Sequence, residues 1–116
     1  MRKSEIIKGN KLIAEFMGIE CKKFDDNTLV KIPFDIEEPV FISYHSSWDQ
    51  LMPVVDKIED MGWIVSIQKG YCEIFPEEPL VDDEFSNKSD TLKIKKIELC
   101  FQTVVEFIEW EKIGRI

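Results

Sequence analysis

One stretch of this chain names its own partner and its own register. From Trp63 to Phe75 the residues run Trp-Ile-Val-Ser-Ile-Gln-Lys-Gly-Tyr-Cys-Glu-Ile-Phe. Lys69-Gly70 is a two-residue hairpin loop with glycine where the tight turn demands an unusual φ. With the loop there, Gln68 opposes Tyr71, Ile67 opposes Cys72 and Val65 opposes Ile74. One face is then almost purely apolar, while Ser66, Glu73, Gln68 and Tyr71 fall on the other. A slip of one residue would mix the two faces, so pattern and turn support each other. A ribbon with one apolar face must be covered by another layer, and the rest of the chain has to supply it.

Three helical patterns can do so. The first spans Ser4 to Met17, with Ser4 as N-cap and Glu5 in the first turn. Ile6, Ile13 and Met17 form its stripe, with Asn10 between them and Leu12 and Phe16 at its sides. Gly18 ends it, and Gly9 inside it is expected to cost about 1 kcal/mol relative to alanine. The second runs from Ser47 to about Met61, where Ser47 and Gln50 have the spacing of a capping box. Leu51, Val55 and Ile58 make its seam, Gly62 closes it, and Pro53 predicts a kink or a later start. The third covers about Asp90 to Lys112. Ile97, Phe101, Val104 and Ile108, widened by Ile94, Cys100, Val105 and Phe107, suit a central packing partner for the sheet.

Two further strands are expected at Thr28 to Ile32 and Val40 to Tyr44, an antiparallel pair fenced by Pro33 and Pro39. Pro76 to Ser89 reads as an exposed acidic loop with a short extended piece at Leu80-Val81. The expected product is a single α+β domain over 1–116, a four-stranded, mainly antiparallel sheet layered with three helices in the order αββαββα.

Composition narrows the function classes. The chain has 116 residues, long enough for a core without staples, and 44% hydrophobic against 33% charged residues excludes a disordered class. No apolar run approaches a bilayer span and Lys8 and Lys11 interrupt any leader, so a cytoplasmic protein with no membrane partner is expected. Cys21, Cys72 and Cys100 are odd in number and widely spaced, with a single histidine, which fits core thiols rather than a disulfide framework or zinc site. A net charge of -8 opposes nucleic acid as a partner. Lys93, Lys95 and Lys96 read as the solvated start of the last helix.

Three stretches carry a resemblance: Asn10 to Gly18, Tyr44 to Val55 and Val104 to Trp110. In order and spacing they resemble a group of small uncharacterised proteins of bacteriophages and prophage-like elements, similar to the phage ABA-sandwich domain family. That resemblance implies a sheet layered with helices and an origin on a mobile element. It implies no activity.

One cluster could carry chemistry. His45, Ser46, Ser47, Trp48 and Asp49 stand at a strand-to-helix junction, where free helical amides can receive an anion. A serine nucleophile with a histidine base needs converging side chains, and neighbours on a turn diverge. Helix capping by Ser47 and Asp49 with Trp48 packed as a staple is the simpler expectation. The acidic run Glu77 to Glu84 lacks the glycine and alternation of a calcium loop. The glycines are scattered, so no phosphate loop, metal or cofactor is expected. The expectation is a non-enzymatic module that binds an unknown protein partner or forms a homo-oligomer. The alternative is a small-ligand or nucleotide-binding protein, or a weak hydrolase, using the His45–Asp49 turn.

Overall fold

The computed structural model describes residues 2–78, 84–88 and 95–113. Three helices and two three-stranded antiparallel sheets make a mixed α+β fold: α1 (Lys3–Phe16), β1 (Cys21–Asp25), β2 (Thr28–Lys31), β3 (Phe41–Ile42), α2 (Trp48–Asp60), β4 (Trp63–Gln68), β5 (Tyr71–Pro76), β6 (Phe85–Lys88) and α3 (Lys96–Lys112). The hairpin β4–β5 has the expected register, Gln68 against Tyr71, Ile67 against Cys72 and Val65 against Ile74. Gly70 takes φ 75 in its loop. Cys72 and Ile74 are fully buried and Val65 and Ile67 pack on the core.

The single four-stranded sheet expected above is not what the described strands form. Two strands were missed. β1 reads Cys-Lys-Lys-Phe-Asp and is exposed along nearly its whole length, so no apolar alternation marks it. β6, Phe-Ser-Asn-Lys, holds one large apolar residue in a stretch read as loop. Each becomes an edge strand, giving orders β1-β2-β3 and β4-β5-β6. The first sheet stops at β3 for a visible reason. Val40 O accepts from the Lys31 amide, so Phe41 and Ser43 turn their backbone groups away from β2. Gln50 occupies them: its Oε1 accepts from the Ser43 amide at 2.7 Å and its Nε2 donates to the Phe41 carbonyl at 2.8 Å. A side-chain amide thus closes an edge another strand would extend.

That use of Gln50 corrects the capping box. Ser47 is the N-cap of α2, with extended φ and ψ, but it makes no side-chain cap bond. α2 also starts at Trp48, ahead of Pro53, rather than after it. The N-cap of α1 is Arg2, not Ser4, which sits inside the helix. The expected start of the last helix at Asp90, its residue Ile94, and the extended piece at Leu80-Val81 lie outside the described residues.

α3 is the central helix, packing on β5, β6 and α1. Phe101, Val104, Phe107 and Ile108 are buried on it against Ile13, Leu51, Ile58 and Ile74. Phe85 explains how so polar a strand as β6 docks: its ring meets Phe107 edge-on at 5.6 Å and Trp110 at 5.6 Å. Trp63 stands at 5.0 Å from Phe107, completing an aromatic nest. Asn87 ties the same strand to α3 by donating to Thr103 Oγ1 at 2.9 Å. Cys72 and Cys100 are buried and joined by a hydrogen bond; that bond and burial push the Cys100 thiol up, so it stays protonated.

Gly9 was read above as a weak point of α1, and the packing says otherwise. A Cβ there would stand 2.6 Å from Phe101 Cζ and 3.0 Å from Val105 Cγ2. Glycine is what lets α1 and α3 approach so closely.

Candidate functional site

The chain leaves β3 through a tight turn in which the Ser43 carbonyl accepts from the amides of Ser46 and Ser47 at 3.1 and 2.9 Å. The next amides, of Gln50 and Leu51, bond to the Ser47 carbonyl and start α2. The turn places His45 half-buried, Ser46 exposed, Ser47 half-buried, and Trp48 and Asp49 exposed. Among the described residues no hydrogen bond joins His45 to Ser46, Ser47 or Asp49, so the cluster adjacent in sequence does not converge around the imidazole.

His45 turns instead to a residue 35 positions away. Asn10, only 2% exposed, accepts from the Tyr44 amide through Oδ1 at 2.9 Å and lies 3.0 Å from His45 Nδ1 through Nδ2. With Oδ1 engaged as acceptor, Nδ2 must donate, and Nδ1 must therefore be the unprotonated nitrogen. This assigns a neutral imidazole with its proton on Nε2. The ring also stands edge-on to Phe101, centroids 6.0 Å apart. Burial pulls the His45 pKa below its ordinary 6.5, opposed by the negative charge of Glu98. Asn10 thus latches the turn onto α1. Its mark in the sequence was a polar residue in the middle of an apolar stripe.

The outer face of the first sheet holds what the sequence reading missed. Leu29 opposes Lys23 on one side and Ile42 on the other; Leu29 and Ile42 lie in the core, while Lys23, on the edge strand, stays exposed. Lys22, Val30 and Phe41 are the opposite set. Val30 is fully buried yet stands outside the main core cluster. Three rings gather on this face: Phe24 meets Phe41 edge-on at 5.2 Å and stacks on Phe34 at 6.1 Å. Lys22 lies over the Phe34 ring at 5.8 Å. These rings remain 53%, 37% and 36% exposed at Phe24, Phe34 and Phe41. Beside them the 32–40 connection is held by Asp35, whose Oδ1 accepts from the amides of Glu37 and Glu38 at 2.9 and 3.3 Å. That turn presents Ile36 at 84% exposure, with Val40 at 51%.

Two clefts elsewhere follow the α1–α3 seam. One of about 320 Å³ is lined by Glu5, Lys8, Gly9, Phe101, Glu106 and Glu109 among others. There burial pushes the Glu106 carboxyl up, against a hydrogen bond from Asn87. A neighbouring cleft of about 280 Å³ is lined by Leu12, Phe16, Ile108 and Lys112. Neither takes a residue from the His45–Asp49 turn. Among the described residues no group of three or more His, Cys, Asp or Glu is placed to hold a metal ion, and no helix is long and apolar enough to cross a membrane.

Set against known proteins, the chain matches no family model, no curated protein and no solved structure.

Proposed function

We propose that this chain is a non-enzymatic accessory protein of a phage or mobile element, working in the cytoplasm by docking another polypeptide on the outer face of its first sheet. The observation that carries the reading is the exposed aromatic cluster of Phe24, Phe34 and Phe41. Nine large hydrophobic side chains are exposed among the described residues, and five of them, Phe24, Phe34, Ile36, Val40 and Phe41, fall within 24–41. Apolar side chains gathered in one patch with charged neighbours mark an association surface, whereas scattered ones do not. The phage origin rests on the resemblance alone.

A photo-crosslinking side chain placed at Ile36 in the producing cell tests the reading, with Gln68 on the far hairpin as control. The expected result is a discrete protein adduct from position 36 and none from 68. Absence of an adduct at 36, or equal labelling at both, would count decisively against it.

A second reading keeps the His45–Asp49 turn as a small-ligand or nucleotide site, or a weak hydrolase. It is favoured by the neutral imidazole, whose Nε2–H is a donor carried on the turn that leads into α2. A thermal-shift screen of nucleotides and inorganic phosphate, run on wild type and His45→Ala, decides it. A shift lost in the variant supports the site; no shift, or one unchanged by the substitution, removes it.

A further inference from the structure

We infer that the polypeptide docked on this face is a second copy of the same chain, the two related by a two-fold axis beside Phe24. The inference rests on the reading of that face as a docking surface and names its occupant.

The argument is charge complementarity. β1 and its turn read Lys22-Lys23-Phe24-Asp25-Asp26, basic, basic, aromatic, acidic, acidic. A two-fold interface is made by one surface meeting itself in reverse. With Phe24 set opposite Phe24, Lys22 faces the second copy's Asp26 and Lys23 faces its Asp25. Symmetry repeats both contacts, giving four opposite-charge pairs. A parallel alignment would set lysine against lysine and aspartate against aspartate. All five side chains are exposed, and none takes part in an ion pair with the described residues, whose recorded salt bridge is Lys112 with Glu15.

The fold supplies the rest. β1 is an edge of its sheet, and the opposite edge, at β3, is closed by Gln50. The register of β1 on β2 shifts between Lys23 and Asp25, and such a bulge bends the strand and twists its free edge away from flat pairing. The contact is therefore made by the exposed side chains along the β1 edge and the aromatic face beside it, not by one merged sheet. Exposed ion pairs add little affinity and mainly set register, so Phe24, Phe34 and Ile36 carry the binding. The net charge of -8 on each copy opposes association at long range. Screening within about 8 Å at physiological salt confines that repulsion, while the four pairs act at contact.

Charge reversal and its mutual rescue test the proposal. Sedimentation equilibrium is run on wild type, Lys22→Glu/Lys23→Glu, Asp25→Lys/Asp26→Lys, and an equal mixture of the two variants. Circular dichroism first establishes that the variants are folded, as the exposure of all four positions leads one to expect. Wild type is expected to dimerise, each variant to bind itself at least about tenfold more weakly, and the mixture to recover a one-to-one heterodimer. A wild type still monomeric at about 100 μM, a concentration that reveals even weak association, overturns the inference. So do variants that self-associate like wild type, or a mixture that stays monomeric. If wild type is monomeric while Ile36 still crosslinks a different protein, the docking reading stands and only the second copy falls. If neither association nor crosslink is seen, both fall.

Discussion

Replacing Asn10 with alanine removes the side chain that bonds the Tyr44 amide and His45 to α1. The Tyr44 amide it serves is buried, and a buried donor left without a partner costs about 1–3 kcal/mol. The bond to His45 is only partly buried, so water recovers much of it and its net loss is about 1 kcal/mol or less. Alanine returns roughly 0.5 kcal/mol of helix propensity. The expected balance is a loss of about 2 kcal/mol, read by urea unfolding, with a fall in Tm of roughly 8 °C. Asn10→Asp adds a test of the assigned tautomer through pH. In the wild type the folded-state pKa of His45 is lowered, so its contribution is complete above 6.5 and is lost as pH falls through the folded value. With a carboxylate facing Nδ1 that pKa rises instead. The contribution is then complete below 6.5 and lost as pH rises, so the stability slope between about pH 5.5 and 7.5 inverts. A loss under about 0.5 kcal/mol for alanine, the size of propensity alone, or an unchanged slope for aspartate, would refute the latch.

Gly9→Ala should lower stability by about 1 kcal/mol despite alanine's better propensity, because overpacking against the Phe101 ring outweighs it; urea unfolding that showed a gain would mean α1 and α3 separate freely. Gln50→Ala should cost about 1–2 kcal/mol through the lost bonds to Ser43 and Phe41, and Gln50→Glu should not rescue it, since a carboxylate cannot donate to the Phe41 carbonyl. In the native protein a thiol reagent should react only with Cys21, and slowly because burial pushes its pKa up, whereas Cys72 and Cys100 react only after unfolding; three fast thiols would contradict their burial. Ile36→Ser should leave the unfolding midpoint within about 0.5 kcal/mol of wild type, as for exposed positions generally, while abolishing association measured by sedimentation.

What could be read from the sequence followed from local rules. The β4–β5 register was legible because Gly70 marks the turn and a one-residue slip would expose Ile67 and Val65. The core faces of the helices were legible from their period. Edge strands were not, since β1 is stabilised by pairing to β2 rather than by an apolar face of its own. Gln50 was misread because the capping box is a local alternative, and a side chain with two good local choices is decided by tertiary neighbours. Ser43 and Phe41 won. The candidate turn was found, but its main partner, Asn10, lies 35 residues away. Phe24, Phe34 and Phe41 belong to three separate segments, and only the pairing of β1, β2 and β3 brings them together.

The outer face of the first sheet asks more of a binding explanation than of a stability one. Val30 opposes Phe41, and the packing of Phe24 on Phe34 and Phe41 is a sufficient reason for those three rings to be apolar. It is no reason for Ile36. A side chain 84% exposed gives the fold almost nothing, and Asp35 spends a carboxylate oxygen holding the Glu37 and Glu38 amides in the turn that keeps it outward. Solubility alone would favour a polar residue at such a tip. An apolar side chain displayed there, two residues from Phe34 of the ring cluster, makes physical sense when water is removed from it by association. The latch at Asn10 acts on the same sheet from a distance. By fixing Tyr44 and His45 to α1 it anchors the exit of β3, and with it the register that aligns Phe41 with Val30.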